Sequence, residues 1–469
     1  MKELNKRAFK RNSSITLFEQ SVRLLVQFSN LILISRLTSS HTFGVSALMI
    51  AISTGMLSLS QFNIDSYLTS NKYISKISKG SIWTFLICVN IFLAIIINLF
   101  STYLNWSLEN RYVLIGSGLI LISWSIGSVP KAVLLSEGKF KKLATVGVAG
   151  SIINLIFSLL LILKLDNDQL AIILSQTMAV LGSSVFAIAM GKSGIYLRNP
   201  MHIPRSVIVD FFHTSIFQFA NFLARNVDTF MIFLLLGASS LGLYDRAYFL
   251  MLAVQQFLSQ VLGRVVLSDL SFRSSDEFLS RFFQFNLIYH LSSFVLFVPF
   301  IFTPKMVIDI LLGGTFSDSH SLVQIFGIVG IIQASVSLSG TFFQIKKELR
   351  IQSKVAFITS SVYLTNFILF PIMNSSLTAF AIANLCASLI SYPIVFYYVR
   401  KLSGREFNLL YRRFVLDSLK VLIPFLIVAF LFIIIAIQNK WFVFVLYILL
   451  PSIIFLTSKM KKFALFNNF

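Results

Sequence analysis

Residues 207–250 read VIVDFFHTSIFQFANFLARNVDTFMIFLLLGASSLGLYDRAYFL. The stretch predicts a transmembrane helix, a tight turn and the start of a second helix. Thr214, Gln218, Asn221, Arg225 and Asp228 follow one another by steps of four, three, four and three. That spacing puts all five on one face of a helix. A polar stripe with a cation and an anion therefore runs along an otherwise apolar span. Charges at membrane depth are costly, and they normally face a bundle interior or a water-filled cavity.

The pattern has a counterpart near the start of the chain. Thr16, Gln20, Arg23, Gln27 and Asn30 step in the same way, and an offset of 198 residues carries each onto a position of the second stripe. The same offset carries Gly44 onto Gly242, so helix and turn align without a gap. This predicts an internal duplication, as in transporters built from parallel repeats. The expected divisions are 1–200 and 201–400, six helices each, followed by 401–469, an amphipathic linker and two appended transmembrane helices.

Composition points to a membrane protein throughout. Of 469 residues 56% are hydrophobic and 12% charged, far from the balance of a soluble domain. A spanning helix needs about 20 mostly apolar residues. Spans are expected at 13–37, 41–66, 81–104, 112–135, 143–163, 170–190, 207–237, 241–267, 282–303, 320–344, 354–373, 378–399, 419–437 and 441–457. These make an all-α polytopic membrane protein of about 14 transmembrane helices. Transmembrane strands are excluded, because they alternate over about ten residues and these apolar runs are twice as long.

The net charge of +21 is explained by the loops. With a cytoplasmic N-terminus, 29 of the 39 Lys and Arg residues fall on cytoplasmic segments and five on the opposite side. This bias alternates loop by loop and predicts both termini in the cytoplasm. It removes the need for nucleic acid as a partner; membrane lipids are expected instead. The N-terminal segment has no small-residue cleavage site and is expected to be retained. Cys88 and Cys386 lie in apolar runs, and the five histidines are scattered, so neither a metal nor a soluble cofactor is expected.

Function is therefore sought inside the spans. Arg225 and Asp228 are close enough along the helix to pair. Either they form a neutralised structural pair, or Arg225 meets an anionic substrate while Asp228 holds it beforehand. Arg23 has Glu19 one turn away and is open to the same two readings. Gln20, Gln27, Asn30, Gln218 and Asn221 could contact substrate or join helices by hydrogen bonds. Arg246, beside Asp245, fits an interfacial anchor or a site residue. Lys131 follows Pro130, where a kink is permitted, and could snorkel or face the interior. Catalysis is not expected: no loop is long enough for a folded domain, and no carboxylate pair outside the spans can be brought together.

Three stretches resemble a known family. Leu241-Gly242-Leu243-Tyr244-Asp245-Arg246-Ala247-Tyr248-Phe249-Leu250 is similar to a signature of bacterial lipid-linked oligosaccharide flippases, the polysaccharide exporters of the multidrug/oligosaccharidyl-lipid/polysaccharide superfamily. Arg36-Leu37 with Phe43-Gly44 resembles their turn after the first helix, although Ser40 stands where proline is usual. Pro130-Lys131-Ala132 through Leu135, with Lys139-Phe140-Lys141-Lys142-Leu143-Ala144, resembles a third segment, in which Ser136-Glu137 replaces the usual Gln-Arg. The resemblance implies two six-helix lobes around a central cavity, plus two extra helices. It implies flipping of an undecaprenyl-pyrophosphate-linked oligosaccharide, an O-antigen or capsule repeat unit, across the bacterial inner membrane by alternating access. Cavity arginines, Arg225 and Arg23 first, would take the pyrophosphate, and stripe residues the sugar. The coupling ion would be a proton or sodium, and a polysaccharide polymerase and a chain-length regulator would be partners. Two alternatives stand beside it. A multidrug exporter of the same superfamily would need more mid-span carboxylates than Glu19 and Asp228, and an O-antigen polymerase or ligase would need a large outer loop.

Overall fold

A computed structural model describes residues 2–61, 64–70, 76–103, 108–191, 197–199, 203, 205–270, 275–403 and 407–419. The last two expected spans, 419–437 and 441–457, lie outside the described residues but for Leu419. The described chain is helical, without strands. Ten helical segments among the described residues are long and apolar enough to cross a membrane. The physical reason is the one that shaped the expectation: in lipid each backbone N–H and C=O must find its partner inside the segment, and a helix provides that.

The helices gather into two compact units, Met1–Arg246 and Ala247–Phe469. The first holds α1 (Lys2–Leu37), α2 (Ser40–Ser60), the short α3 (Ile64–Ser70), α4 (Lys76–Tyr103), α5 (Leu108–Ser136), α6 (Phe140–Lys164), α7 (Asp168–Gly191) and the first part of α8 (Arg205–Leu270). The expected span 41–66 is thus broken after Ser60. Helix α5 is the hub, packing against α2, α3, α4 and α7, while α1 lies along α6. Buried serines join these helices. Ser117 Oγ donates to the carbonyl of Met49 on α2, and Ser184 Oγ to that of Ser123 on α5.

Pro130 sits inside α5. Proline has no N–H, so the carbonyl four residues earlier, that of Ile126, loses its helical partner. The indole Nε1 of Trp83 on α4 donates to that carbonyl at 3.1 Å. The helix therefore runs on through the proline, and the next residue is Lys131.

Helix α8 contains the quoted stretch. It changes direction at Gly237, whose φ of 82° suits glycine and is strained for other residues. Subtracting 198 gives Ser39, where the chain between α1 and α2 is extended and caps α2, its Oγ accepting from the Thr42 N–H. The two turns also meet. A Cβ at Gly44 would overlap the carbonyl oxygen of Ala238, and a Cβ at Gly242 would overlap that of Ser40. Ala238 and Ser40 are themselves 198 residues apart. The contact is therefore reciprocal, as in an interface between two copies related by a twofold axis.

The second unit holds the rest of α8, α9 (Ser275–Phe302), α10 (Pro304–Leu311), a 3-10 turn (Gly314–Ser319), α11 (His320–Val336), α12 (Ser339–Ile345), α13 (Leu349–Met373), α14 (Leu377–Ser403) and a helix over 407–419. Helix α11 packs between α9 and α14, and α13 packs on α14. The helix over 407–419 docks through aromatic rings, with Phe407 and Phe414 against Phe283 of α9 and Tyr411 against Phe396 of α14, at centroid distances of 5.3–5.9 Å. Its other face exposes Leu409, Arg412, Arg413 and Leu416.

Candidate functional site: a basic cluster in the first unit

Arg23 projects from α1 onto α6. Its Nη1 donates to Glu19 Oε1 at 3.2 Å, the expected pair one helical turn apart. Glu19 is buried, and the Arg23 side chain remains 43% exposed. Arg23 Nε is shielded from solvent and has no hydrogen-bond partner. The pair rests directly on the α6 backbone at Gly147, where a Cβ would stand 2.6 Å from Glu19 Oε1 and 3.3 Å from Arg23 Cδ.

Lys131 reaches the same region from α5. Its Nζ donates to Ser183 Oγ of α7 at 2.9 Å. It lies within electrostatic reach of Arg23 and of Asp65 on α3. Two of the sequence-derived candidates, Arg23 and Lys131, are thus brought together, although 108 positions separate them in the chain. Two cations within electrostatic reach of each other, one half exposed, are an arrangement that can attract an anion with more than one charge. Glu19 and Asp65 offset part of their mutual repulsion.

The remaining stripe residues are spread out. Gln27 is exposed and Gln218 half-buried. Asn30 is half-buried, with Oδ1 lacking a partner. The side chain of Asn221 lies outside the described residues. Arg225 is exposed and forms no ion pair with Asp228. The possible i,i+3 pair is not made, and the reason is geometric. Asp228 is 4% exposed and accepts hydrogen bonds from the Tyr244 hydroxyl at 3.0 Å and the Thr229 N–H at 2.9 Å. With its carboxylate turned into the protein, it does not reach the exposed guanidinium.

The stretch 241–250 has a structural account of its own. Gly242 allows the approach to Ser40, and Tyr244 holds Asp228 across the turn. Arg246 pairs with Asp245, at 2.6 and 3.0 Å, and lies 4.1 Å over the ring of Phe43. Arg246 is thus engaged in knitting the two turns, a cation–π contact included.

Sequence reasoning missed Ser183, Gly147 and Tyr244 as partners. Ser183 and Gly147 are small residues that nothing in their own neighbourhood marks, and Tyr244, although inside the stretch 241–250, carries no sign in the sequence that it bonds Asp228. It also missed a half-buried polar network in the second unit, where Gln333 Oε1 accepts from Gln255 and Gln333 Nε2 donates to Tyr363 and Ser388. The signal was available: Gln255 and Gln333 are amides inside apolar spans.

The fold is similar to known ones. One is described as lipid II flippase MurJ in an inward closed conformation, at 16% identity and a TM-score of 0.69, covering 96% of this chain and 99% of that one. Another is an inward-facing multidrug resistance MATE family transporter of the MOP superfamily, at 12% identity and a TM-score of 0.59, covering 80% and 94%. An outward-facing transporter of that description matches at 14% identity with a TM-score of 0.54, covering 87% and 97%. Likenesses at such identities concern the fold alone. No curated protein matches the sequence. Residues 33–321 match the family model described as polysaccharide biosynthesis protein, and this multi-pass membrane chain belongs to that family.

Proposed function

We propose that the protein flips an undecaprenyl-pyrophosphate-linked oligosaccharide, an O-antigen or capsule repeat unit, across the bacterial inner membrane. The observation that carries this reading is the meeting of Arg23 and Lys131 in the first unit of a polysaccharide biosynthesis family member. An anion with two phosphates matches two neighbouring cations. In a site of low dielectric such charge-assisted bonds are much stronger than in water. Arg225 is a second, exposed cation for the same substrate, and the stripe amides face its sugar. Movement is by alternating access between halves 1–200 and 201–400, with the polyprenyl tail left in the bilayer. The segment 401–469 adds a linker and two further helices. A proton or sodium ion supplies the drive. Both termini face the cytoplasm, and a polymerase and a chain-length regulator consume the product.

The test is a deletion strain complemented with the wild-type chain or Arg23→Gln. Loss of function should leave lipid-linked oligosaccharide on the cytoplasmic leaflet while its synthesis continues. Normal delivery to the outer leaflet without the protein would overturn the reading. So would loss of drug efflux as the sole defect, which would favour a multidrug exporter.

A further inference from the structure

We infer that Gly147 of α6 is a positioning residue that sets the Arg23 guanidinium for its anion; this rests on the reading of Arg23 as an anion-binding group. The Glu19–Arg23 pair lies against α6 at Gly147, where no side chain intervenes. A Cβ there would stand 2.6 Å from Glu19 Oε1, closer than side-chain carbons come, and 3.5 Å from Arg23 Nη1. The obstructed atom is the tip of a flexible side chain, so the helices need not separate. The carboxylate would swing away instead, and Arg23 would lose the partner that fixes Nη1. Arg23 Nε, shielded and unpartnered, offers no substitute anchor. The freed guanidinium would then sample several directions rather than the one that Glu19 sets. Glu19 and Gly147 thus act together: the first holds the cation, and the second makes room for the hold.

The prediction separates this role from ordinary helix packing. Gly147→Ala should leave expression and thermal stability close to wild type. It should weaken binding of inorganic pyrophosphate to the purified full-length protein by about ten-fold, the loss expected for one misdirected charge-assisted hydrogen bond. Glu19→Asp shortens the side chain and clears the space of the new methyl group. The double variant Gly147→Ala/Glu19→Asp should therefore bind pyrophosphate more tightly than Gly147→Ala alone. A packing defect between α1 and α6 would show no such rescue. The measurement is calorimetric titration of wild type, Gly147→Ala, Glu19→Asp, the double variant and Arg23→Gln.

If Arg23→Gln binds pyrophosphate as wild type does, the anion-site reading itself fails. If Arg23→Gln abolishes binding but Gly147→Ala is silent, or is not rescued by Glu19→Asp, the site stands and the role of Gly147 is overturned.

Discussion

Residues 16–48 and 214–246 have the same helix–turn–helix course, related by 198 positions, but they hold different chemistry. In the first, the cation Arg23 is held by Glu19 and the amide Asn30 keeps an unpartnered oxygen. In the second, the position of Asn30 is taken by Asp228, which is buried and bonded to Tyr244, and the position of Gln27 by the exposed Arg225. The turns differ too: Ser39 caps an extended chain, whereas Gly237 takes a positive φ. The two stretches thus share a course while carrying different charges. What both have is the close approach of the turns, through Gly44 and Gly242.

The harshest way to break that shared feature is to fill it. Gly44→Val and Gly242→Val would each drive a side chain into a backbone carbonyl, which cannot move aside as a side chain can. Each should destabilise the protein by about 4 kcal/mol or more, the range of severe core overpacking. Gly237→Ala meets nothing within 4 Å and should cost about 1–3 kcal/mol, through a φ/ψ pair that is essentially confined to glycine. Thermal unfolding of the purified protein in detergent would rank the three. Equal losses at Gly237 and Gly242 would contradict the reciprocal packing.

Next in size is the functional difference between the halves. Arg23→Gln should reduce export by about 10- to 100-fold, the worth of one or two charge-assisted hydrogen bonds. Arg225→Gln should lose less, because Arg225 is exposed. Surface glycan, measured at matched protein level, would check the order. A reversed order would move the anion site to the second stripe.

Much of this was legible in the sequence because it depends on local chemistry. Span positions follow from runs of apolar residues, and the pairing of Arg23 with Glu19 from one helical turn of spacing. The 198-residue correspondence was read from spacing alone, and the reciprocal contact at Gly44 and Gly242 falls on positions it pairs. What could not be read was any choice between partners. Asp228 had Arg225 as a near neighbour in sequence, yet it bonds Tyr244, which only the turn at Gly237 brings close. Lys131 and Arg23 come together through the packing of four helices, and no periodicity in either helix encodes that. The break after Ser60 within an apolar run was equally hidden, since hydropathy reports span length and not continuity.

Tyr244→Phe is the next test, and a smaller one. It removes the hydroxyl that donates to Asp228 and leaves a buried carboxylate with backbone N–H donors only, those of Thr229 and of Asp228 itself. The cost should be about 1–3 kcal/mol, the price of an unsatisfied buried acceptor. At the corresponding position of the first half, Ser46 bonds only the Phe43 carbonyl of its own helix, so Ser46→Ala should cost well under that. Similar losses in thermal stability at both positions would mean that the two halves hold their turns in the same way.

The smallest expected effect is the most discriminating for the second stripe. Arg225 and Asp228 are one turn apart, and charges so placed normally couple. Here the carboxylate is buried and turned to Tyr244, while the guanidinium is exposed. A pair that is not made cannot be broken, so the two substitutions should act separately. In a cycle of Arg225→Gln, Asp228→Asn and the double variant, the stability changes should add to within about 0.5 kcal/mol, as for independent sites. The single changes need not be small: Asp228→Asn exchanges one acceptor for a donor facing the Thr229 N–H or the Tyr244 hydroxyl, and should destabilise on its own. Arg225→Gln should leave stability near wild type and register in export instead. A coupling energy of about 1 kcal/mol or more would show that the two charges do pair in a state the folded protein populates. In that case Asp228 would exchange Tyr244 for Arg225 as the protein moves, and the second half would resemble the first after all.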